Sequence, residues 1–377
     1  MIVHRRPIFM SLDEQIYQRI LAFIRKPVDK SFESLALQVF RYQFESVRPY
    51  RRYCEERGVN PATVFHLEDI PAVSNVAFKF ANLTGDDAQM SPGALAFLTS
   101  GTTHGRERRG RHVVPRPEIY RASAIAHLRT MLFPDERRMA MLAMHPTADA
   151  MPESSLARMI AWCVEEFGTG TLLAAASRDR VDAGAAIRFL AEAEASGEPV
   201  CILGTTAAFA TLFTELRERG GKYRMPDGSR MMDTGGAKGQ ATPLTANEVI
   251  LAAGELLSIT PAMVINEYGM TELCSQLYDA TPFNCAGAGN ATERLKIPPP
   301  WLRVTARDPV TTMPVADGEI GMLTFFDLAN VGSVSAVMTE DLGIVEAGRV
   351  CVLGRGVAGE ARGCALAIGQ FSAEAAR

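Results

Sequence analysis

Lysine is scarce in this chain. Six of its 39 Lys and Arg residues are lysines, and the last is Lys296, so any cation supplied further on must be an arginine. No stretch of 18 or more apolar residues occurs, which argues against a transmembrane span. The opening MIVHRRPIFMSLDEQ has no apolar stretch long enough for a signal peptide. The seven cysteines (54, 163, 201, 274, 285, 351 and 364) show neither CxxC nor CxxH spacing, so no zinc site or disulfide frame is signalled. The chain therefore reads as cytoplasmic, with reduced thiols. A net charge of −4 gives no whole-molecule attraction to nucleic acid or to an anionic membrane. Internal repeats and low-complexity tracts are absent.

What is present is an ordinary globular composition, 47% hydrophobic and 22% charged over 377 residues, enough for one large domain and a small appendage. SLDEQIYQRILAFIRK opens with a capping box, Ser11 and Glu14, and continues at helical spacing; a second helical stretch is expected from about Ser34 to Glu56. From residue 139 strands and helices alternate. MAMLAM, TLLAAA, PVCILG, SRMMDT and PAMVINEY read as strands. SSLARMIAWCVEEF, DAGAAIRFLAEAEA, AAFATLFTELRER and PLTANEVILAAGELLS read as the helices between them. That pattern predicts a mainly parallel sheet covered on both faces. After KIPPPWLRV come short strands with turns (LRVTARDP, GEIGMLTFFD, SVSAVMTED, RVCVLGRG), an antiparallel section beginning near residue 296.

Three stretches carry groups suited to phosphate chemistry. FLTSGTTHGRERRGRH (97–112) is rich in hydroxyls, glycines and arginines and follows the apolar run ALAF. It reads as an irregular loop leading directly into the helix PRPEIYRASAIAHL, with Pro117 and Glu118 in that helix's first turn, and its spacing is not that of a P-loop. Taken alone it reads sooner as a mobile surface loop. NEYGMTELCSQLYD (266–279) places Glu267 and Glu272 near a strand end, where a hard cation could stand beside phosphates, and Tyr268 offers a flat face. Taken alone it is a strand, a turn and a helix with surface acids, Cys274 facing the core. In MMDTGGAKGQ, Gly235, Gly236 and Gly239 flank Lys238, a flexible point charge. Asp233 either caps the following turn or faces a ligand. His145, at the end of MAMLAMH, reads as structural or as lining a pocket, and Arg111 and His112 as supports of the first loop or of its turn.

Together these stretches resemble the adenylate-forming superfamily of acyl and aryl ligases. Thr99-Ser100-Gly101-Thr102-Thr103 is similar to its phosphate loop, with His104 where glycine is usual; Tyr268-Gly269-Met270-Thr271-Glu272 to its second signature; and Thr339-Glu340-Asp341 to the motif whose aspartate binds ribose. Gly354-Arg355 falls where the hinge to a C-terminal lid begins. Within the superfamily the chain resembles the acyl-protein synthetases, on GRH (110–112), PESSL (152–156), TGGxKG (234–239), PPWLRV (299–304), DLANxxSVSA (327–336) and RGCAL (362–366).

The resemblance implies an α/β adenylate-forming domain over residues 1–353, with a small β section from about 296. It also implies a strongly truncated lid at 354–377 carrying Cys364. It implies an ATP- and Mg²⁺-dependent activation of a fatty or aromatic acid as acyl-AMP. Thr99, Ser100, Gly101, Thr102 and Thr103 would take the phosphates, Tyr268 the adenine, Asp341 the ribose and Glu272 the magnesium, with Gly235, Gly236, Gly269 and Thr271 also binding the nucleotide. The lid lysine usual in the superfamily has no counterpart here, so Lys238 and Arg355 are the cations expected to stabilise the reacting phosphate. Cys364 would receive the acyl group as a thioester, assisted by Arg362, for a partner protein such as a reductase, carrier protein or ketosynthase. The alternatives are transfer to CoA or a carrier phosphopantetheine, and a non-catalytic nucleotide-binding relative.

Overall fold

The computed structural model describes residues 12–85, 91–99, 109–235, 244–285 and 294–355. The chain begins with α1 (Leu12–Arg25), α2 (Phe32–Ser46) and α3 (Arg48–Glu55). The single helix expected from Ser34 to Glu56 is thus two. Val47 is extended (φ −104°, ψ 92°), because the ring of Pro49, in the first turn of α3, would clash with a carbonyl of any continuous helix. Two residues of β1 (Val73–Ser74) precede a hairpin, β2 (Leu95–Leu98) and β3 (Arg111–Val114), which leads into α4 (Pro117–Met131).

The alternation then follows as read: β4 (Met139–Met144), α5 (Ser155–Phe167), β5 (Gly168–Ala174), α6 (Ala183–Ser196), β6 (Val200–Thr205), α7 (Thr206–Glu218), β7 (Arg230–Thr234), α8 (Ala246–Leu257) and β8 (Val264–Tyr268). Ser154, Asp182, Thr205 and Thr245 each cap the following helix through the side chain, which fixes where four of these helices start. The last part is β9 (Leu277–Asp279), β10 (Lys296–Ile297), β11 (Leu302–Arg307), β12 (Ile320–Asp327), β13 (Ala336–Glu346) and β14 (Arg349–Arg355).

One sheet of twelve strands spans both sections, ordered β11-β12-β13-β14-β10-β9-β8-β7-β6-β4-β5, with β1 parallel to β13. Strands β5, β4, β6, β7 and β8 run parallel, and β9 reverses against β8. The parallel strands are apolar on both faces, and successive residues feed different cores. Met141, Cys201, Leu203, Met232 and Ile265 join the core shared with α1, α2, α4 and α5; Leu142, Val200, Ile202, Met231 and Val264 join that of α6, α7 and α8. Among the described residues no helix is long and apolar enough to cross a membrane.

Candidate active site

A cleft of 1390 Å³ opens beyond the carboxyl ends of β4, β6, β7 and β8, the position where open α/β sheets hold ligands. His145, Thr206, Gly235 and Gly269 follow those four strand ends and line it. The opposite wall comes from the antiparallel section, through Asp341 on β13 and Val352 to Arg355 on β14. A third contribution is the root of the β2–β3 hairpin, Leu98, Thr99 and Arg109.

The hairpin corrects the first expectation. Phe97 and Leu98 pair with His112 and Arg111, so both ends of the supposed irregular loop are strand, and β3 stands between the loop and α4. The loop is closed at its base by Thr99. Its amide donates to Gly110 O (2.9 Å), its hydroxyl accepts from Gly110 N (2.8 Å), and its carbonyl accepts from Arg109 Nε (2.5 Å). Ser100, Gly101, Thr102, Thr103 and His104 lie outside the described residues, as do Gly236, Lys238, Gly239, Arg362 and Cys364. His112 is buried in this base. Its Nδ1 donates to Thr271 O (2.7 Å) and its Nε2 stands 2.9 Å from Asn330 Oδ1, so it braces the segment after β8 rather than the loop's own turn.

That segment holds the second correction. Residues 269–276 form no helix; they run irregularly into β9. The reason is long-range competition for the backbone. The buried Asp327 carboxylate accepts from Cys274 N (2.8 Å) and Ser275 Oγ (2.7 Å), Asn330 Nδ2 donates to Glu272 O (2.9 Å), and His112 takes Thr271 O. The acids are not surface groups either, Glu267 being 4% and Glu272 6% exposed. Cys274 does face the core, where burial raises its thiol well above the ordinary value.

Along the outer wall, Tyr268 donates its hydroxyl to Asp341 Oδ2 (2.7 Å), and its ring stacks on Phe325 at 5.9 Å. Asp341 and Arg355 are register partners of β13 and β14, with Arg355 Nε 3.9 Å from Asp341 Oδ1. Gly354 and Arg355 are therefore still in the sheet. Gly235, Tyr268, Gly269, Thr271, Glu272, Asp341, Thr99 and Arg355 line one cleft, which is where the sequence grouped them. Gly235 has φ +86°, a turn that suits glycine, and Thr206 Oγ1 lies 2.7 Å from its carbonyl oxygen. His145 also lines the cleft; its Nδ1 donates to Pro146 O (2.9 Å), and burial lowers its pKa.

The inner floor was the part the sequence did not disclose. Lys296 Nζ donates to Asn266 O (3.1 Å), Asn266 Oδ1 (2.6 Å) and Asp279 Oδ1 (2.8 Å). Arg294 Nη1 donates to the other oxygen of Asp279 (2.8 Å). Asp233 accepts from Thr206 Oγ1 and Asn266 Nδ2, both at 2.8 Å, and burial pushes it up to about 6. Glu267 accepts from the Thr234 hydroxyl; burial drives it to about 7, against the pull of that bond and of the nearby Lys296. Asp233, Glu267 and Glu272 all line the cleft, Asp233 and Glu267 at this floor. Lys296 lies in no periodic pattern, and its partners are 17 and 30 residues upstream, so only the fold brings them together. Among the described residues no group of three or more His, Cys, Asp or Glu could hold a metal by itself.

Three comparisons bear on this geometry. A family model described as "Acyl-protein synthetase, LuxE" matches residues 2–372. The long-chain-fatty-acid–luciferin-component ligase of Aliivibrio fischeri is 22% identical over 343 residues, covering 86% of this chain and 84% of that protein. Its Vibrio harveyi namesake is 24% identical over 314 residues, 81% of this chain and 77% of that protein. Among solved structures, 2-hydroxyisobutyryl-CoA ligase with 2-HIB-AMP and CoA superposes with a TM-score of 0.58 at 18% identity, over 85% of this chain and 73% of that one. The last likeness is one of fold.

Proposed function

The chain belongs to the acyl-protein synthetase family, an enzyme of the acid-ligase type on the adenylate-forming fold, and from that premise we propose a two-step reaction. A carboxylic acid and MgATP yield enzyme-bound acyl-AMP and pyrophosphate. The thiol of Cys364 then attacks the acyl carbon; a C–S bond forms, the C–O bond to phosphate breaks, the thiol gives up its proton, and AMP leaves. The thioester is handed to a partner protein. In this reading residues 1–353 form the adenylating domain and 354–377 the short segment that carries the thiol.

The observation that carries the proposal is the bond from Tyr268 to Asp341, which joins two sequence motifs 73 residues apart on one wall of the cleft. Asp341, an acceptor at the edge of β13, is suited to ribose hydroxyls. Tyr268, its plane set by Phe325, is suited to adenine. Thr99 anchors the loop whose Ser100, Gly101, Thr102 and Thr103 would meet the phosphates. Gly235, Gly236, Gly269 and Thr271 would join in holding them. Magnesium would be held between Glu272 and phosphate oxygens, an all-oxygen donor set of the kind Mg²⁺ prefers, and would neutralise developing charge. Arg355, on the same wall, and Lys238 would supply fixed cations beside the reacting phosphate.

The test is intact mass after incubation with MgATP and a panel of fatty, aromatic and functionalised acids. The expected result is a covalent acyl adduct, released by hydroxylamine and absent in Cys364→Ser. Pyrophosphate release without an adduct would move the acceptor to CoA or a carrier phosphopantetheine. Neither signal with any acid would contradict the proposal.

A further inference from the structure

Strand β1 (Val73–Ser74) belongs to no motif, yet the residue after it reaches the cleft. Asn75 lines the wall, and its Oδ1 is buried with no hydrogen-bond partner among the described residues. A buried acceptor left unmet is costly, so such a group points to a donor that arrives with a ligand. The backbone around it is fixed. Ser74 Oγ accepts from Val76 N (3.3 Å) at the start of the 3₁₀ turn Asn75–Lys79. Phe78 in that turn stands edge-on to the His112 ring, with centroids 5.5 Å apart, which pins the turn to the base of the β2–β3 hairpin.

Strand register shows what Asn75 stands beside. β12 occupies one edge of β13 along both its halves, pairing with residues 336–338 and 342–344. The other edge is shared. β1 runs parallel to β13 as far as Ser74, opposite Met338, and β14 runs antiparallel to it as far as Arg355, opposite Asp341. The ends of β1 and β14 therefore approach each other across Thr339 and Glu340, which neither covers. Asn75, Arg355 and Asp341 all line the cleft at this gap. Met338 and Asp341 are three residues apart, about 10 Å of strand, so side chains reaching in from Asn75 and Asp341 leave room between them for a group the size of one sugar. Among the described residues nothing meets the amide oxygen there. Thr339, the nearest hydroxyl by register, is turned to the far edge, its Oγ1 donating to Leu323 O (3.0 Å) and accepting from Asp341 N (3.1 Å).

We propose that Asn75 is a second ribose-binding residue, its amide oxygen accepting from one hydroxyl of the sugar whose other hydroxyl Asp341 receives. The inference rests on the nucleotide reading of Asp341 given above and adds to that site a residue that no motif marks. Vicinal hydroxyls supply two donors in fixed geometry, one for each acceptor. An amide oxygen is neutral, so it takes its hydroxyl without adding negative charge beside the phosphates.

The experiment uses the full chain with Mg²⁺ and ATP, 2′-deoxy-ATP or 3′-deoxy-ATP, in the wild type, Asn75→Leu, Asn75→Asp and Asp341→Ala. Nucleotide dissociation constants from calorimetry are read beside KM and kcat of acid-dependent pyrophosphate exchange. The expected result is that one deoxy analogue binds the wild type roughly five- to tenfold more weakly than ATP through loss of the bond to Asn75. Asn75→Leu weakens ATP by that factor and abolishes the penalty for that analogue alone. The penalty for the other analogue persists in Asn75→Leu and disappears in Asp341→Ala. The change falls on KM, with kcat held within about twofold. Asn75→Asp keeps an acceptor and retains the discrimination, which covers the case of a leucine variant that folds poorly. ATP binding unchanged in Asn75→Leu, equal weakening of ATP and both analogues in that variant, or discrimination lost in Asn75→Asp overturns the inference and leaves acid activation intact. The expected binding pattern without exchange for any acid upholds the ribose contact and overturns the acid-activating reading. No measurable ATP binding overturns both.

Discussion

The two ends of the cleft are built differently. The outer wall is made of groups that keep partial access to solvent: Tyr268 meets Asp341, and Asp341 stands beside Arg355, the last two with side chains 23% and 39% exposed. The inner floor is a closed network in which Asp279 carries two cations and is itself 1% exposed at its side chain. Charges on the outer wall can exchange a protein partner for a ligand at little cost. Charges on the floor cannot, since each is held by the neutralisation of the others. The difference separates groups that keep access to solvent from groups that hold the strand ends in position and set the field beneath them.

The largest expected effect breaks the floor. Lys296→Met removes the ammonium that joins Asn266 to Asp279 and leaves Asp279 with Arg294 alone, so denaturant unfolding should show a loss of about 3–5 kcal/mol. A loss below about 1 kcal/mol would mean that the floor adds no more than a surface pair does. The next sharpens the comparison through pH. The folded protein holds a proton on Glu267 that the unfolded chain has released between its ordinary value of 4.5 and about 7. Its contribution to stability is therefore full below the ordinary value and is lost as pH rises through about 7, with a slope of at most about 1.4 kcal/mol per pH unit. Glu267→Gln cannot ionise, so the stability of wild type relative to this variant should fall across that window. A flat difference would contradict the burial argument. Asp233, raised to about 6, remains in both proteins and cancels.

On the outer wall the effects should appear in nucleotide use and leave stability nearly unchanged. Asp341→Ala should lower kcat/KM for ATP by roughly 10- to 100-fold, since a hydrogen bond to a charged group contributes about 1.5–3 kcal/mol. Tyr268→Phe removes only the hydroxyl that orients that carboxylate and should cost roughly fivefold, about 1 kcal/mol. Equal losses in the two variants would mean that the aspartate acts only through the tyrosine.

The same contrast explains what could be read from the sequence. The parallel strands were legible because their residues alternate between two cores, so MAMLAM and PVCILG declare themselves as buried strands. The outer wall was legible because Tyr268 and Asp341 lie in contiguous motifs. The β2–β3 hairpin was half legible: glycines and arginines marked the loop, but four-residue strands at its ends carry too little pattern to separate from it. The chain from Gly269 to Gln276 was misread because its backbone bonds go to Asp327, Asn330 and His112, all remote in sequence. The floor was hidden for the same reason. Lys296, Asp279 and Asn266 carry no shared spacing, and a charged residue between apolar neighbours looks exposed until the fold supplies its partners.

The central claim is acid activation at this cleft, and acid-dependent exchange of labelled pyrophosphate into ATP tests it most directly, because it reports the first half-reaction alone. The account predicts exchange that requires both an acid and Mg²⁺, persists in Cys364→Ser, and falls in Asp341→Ala. Exchange absent with every acid, or independent of added acid, would contradict it.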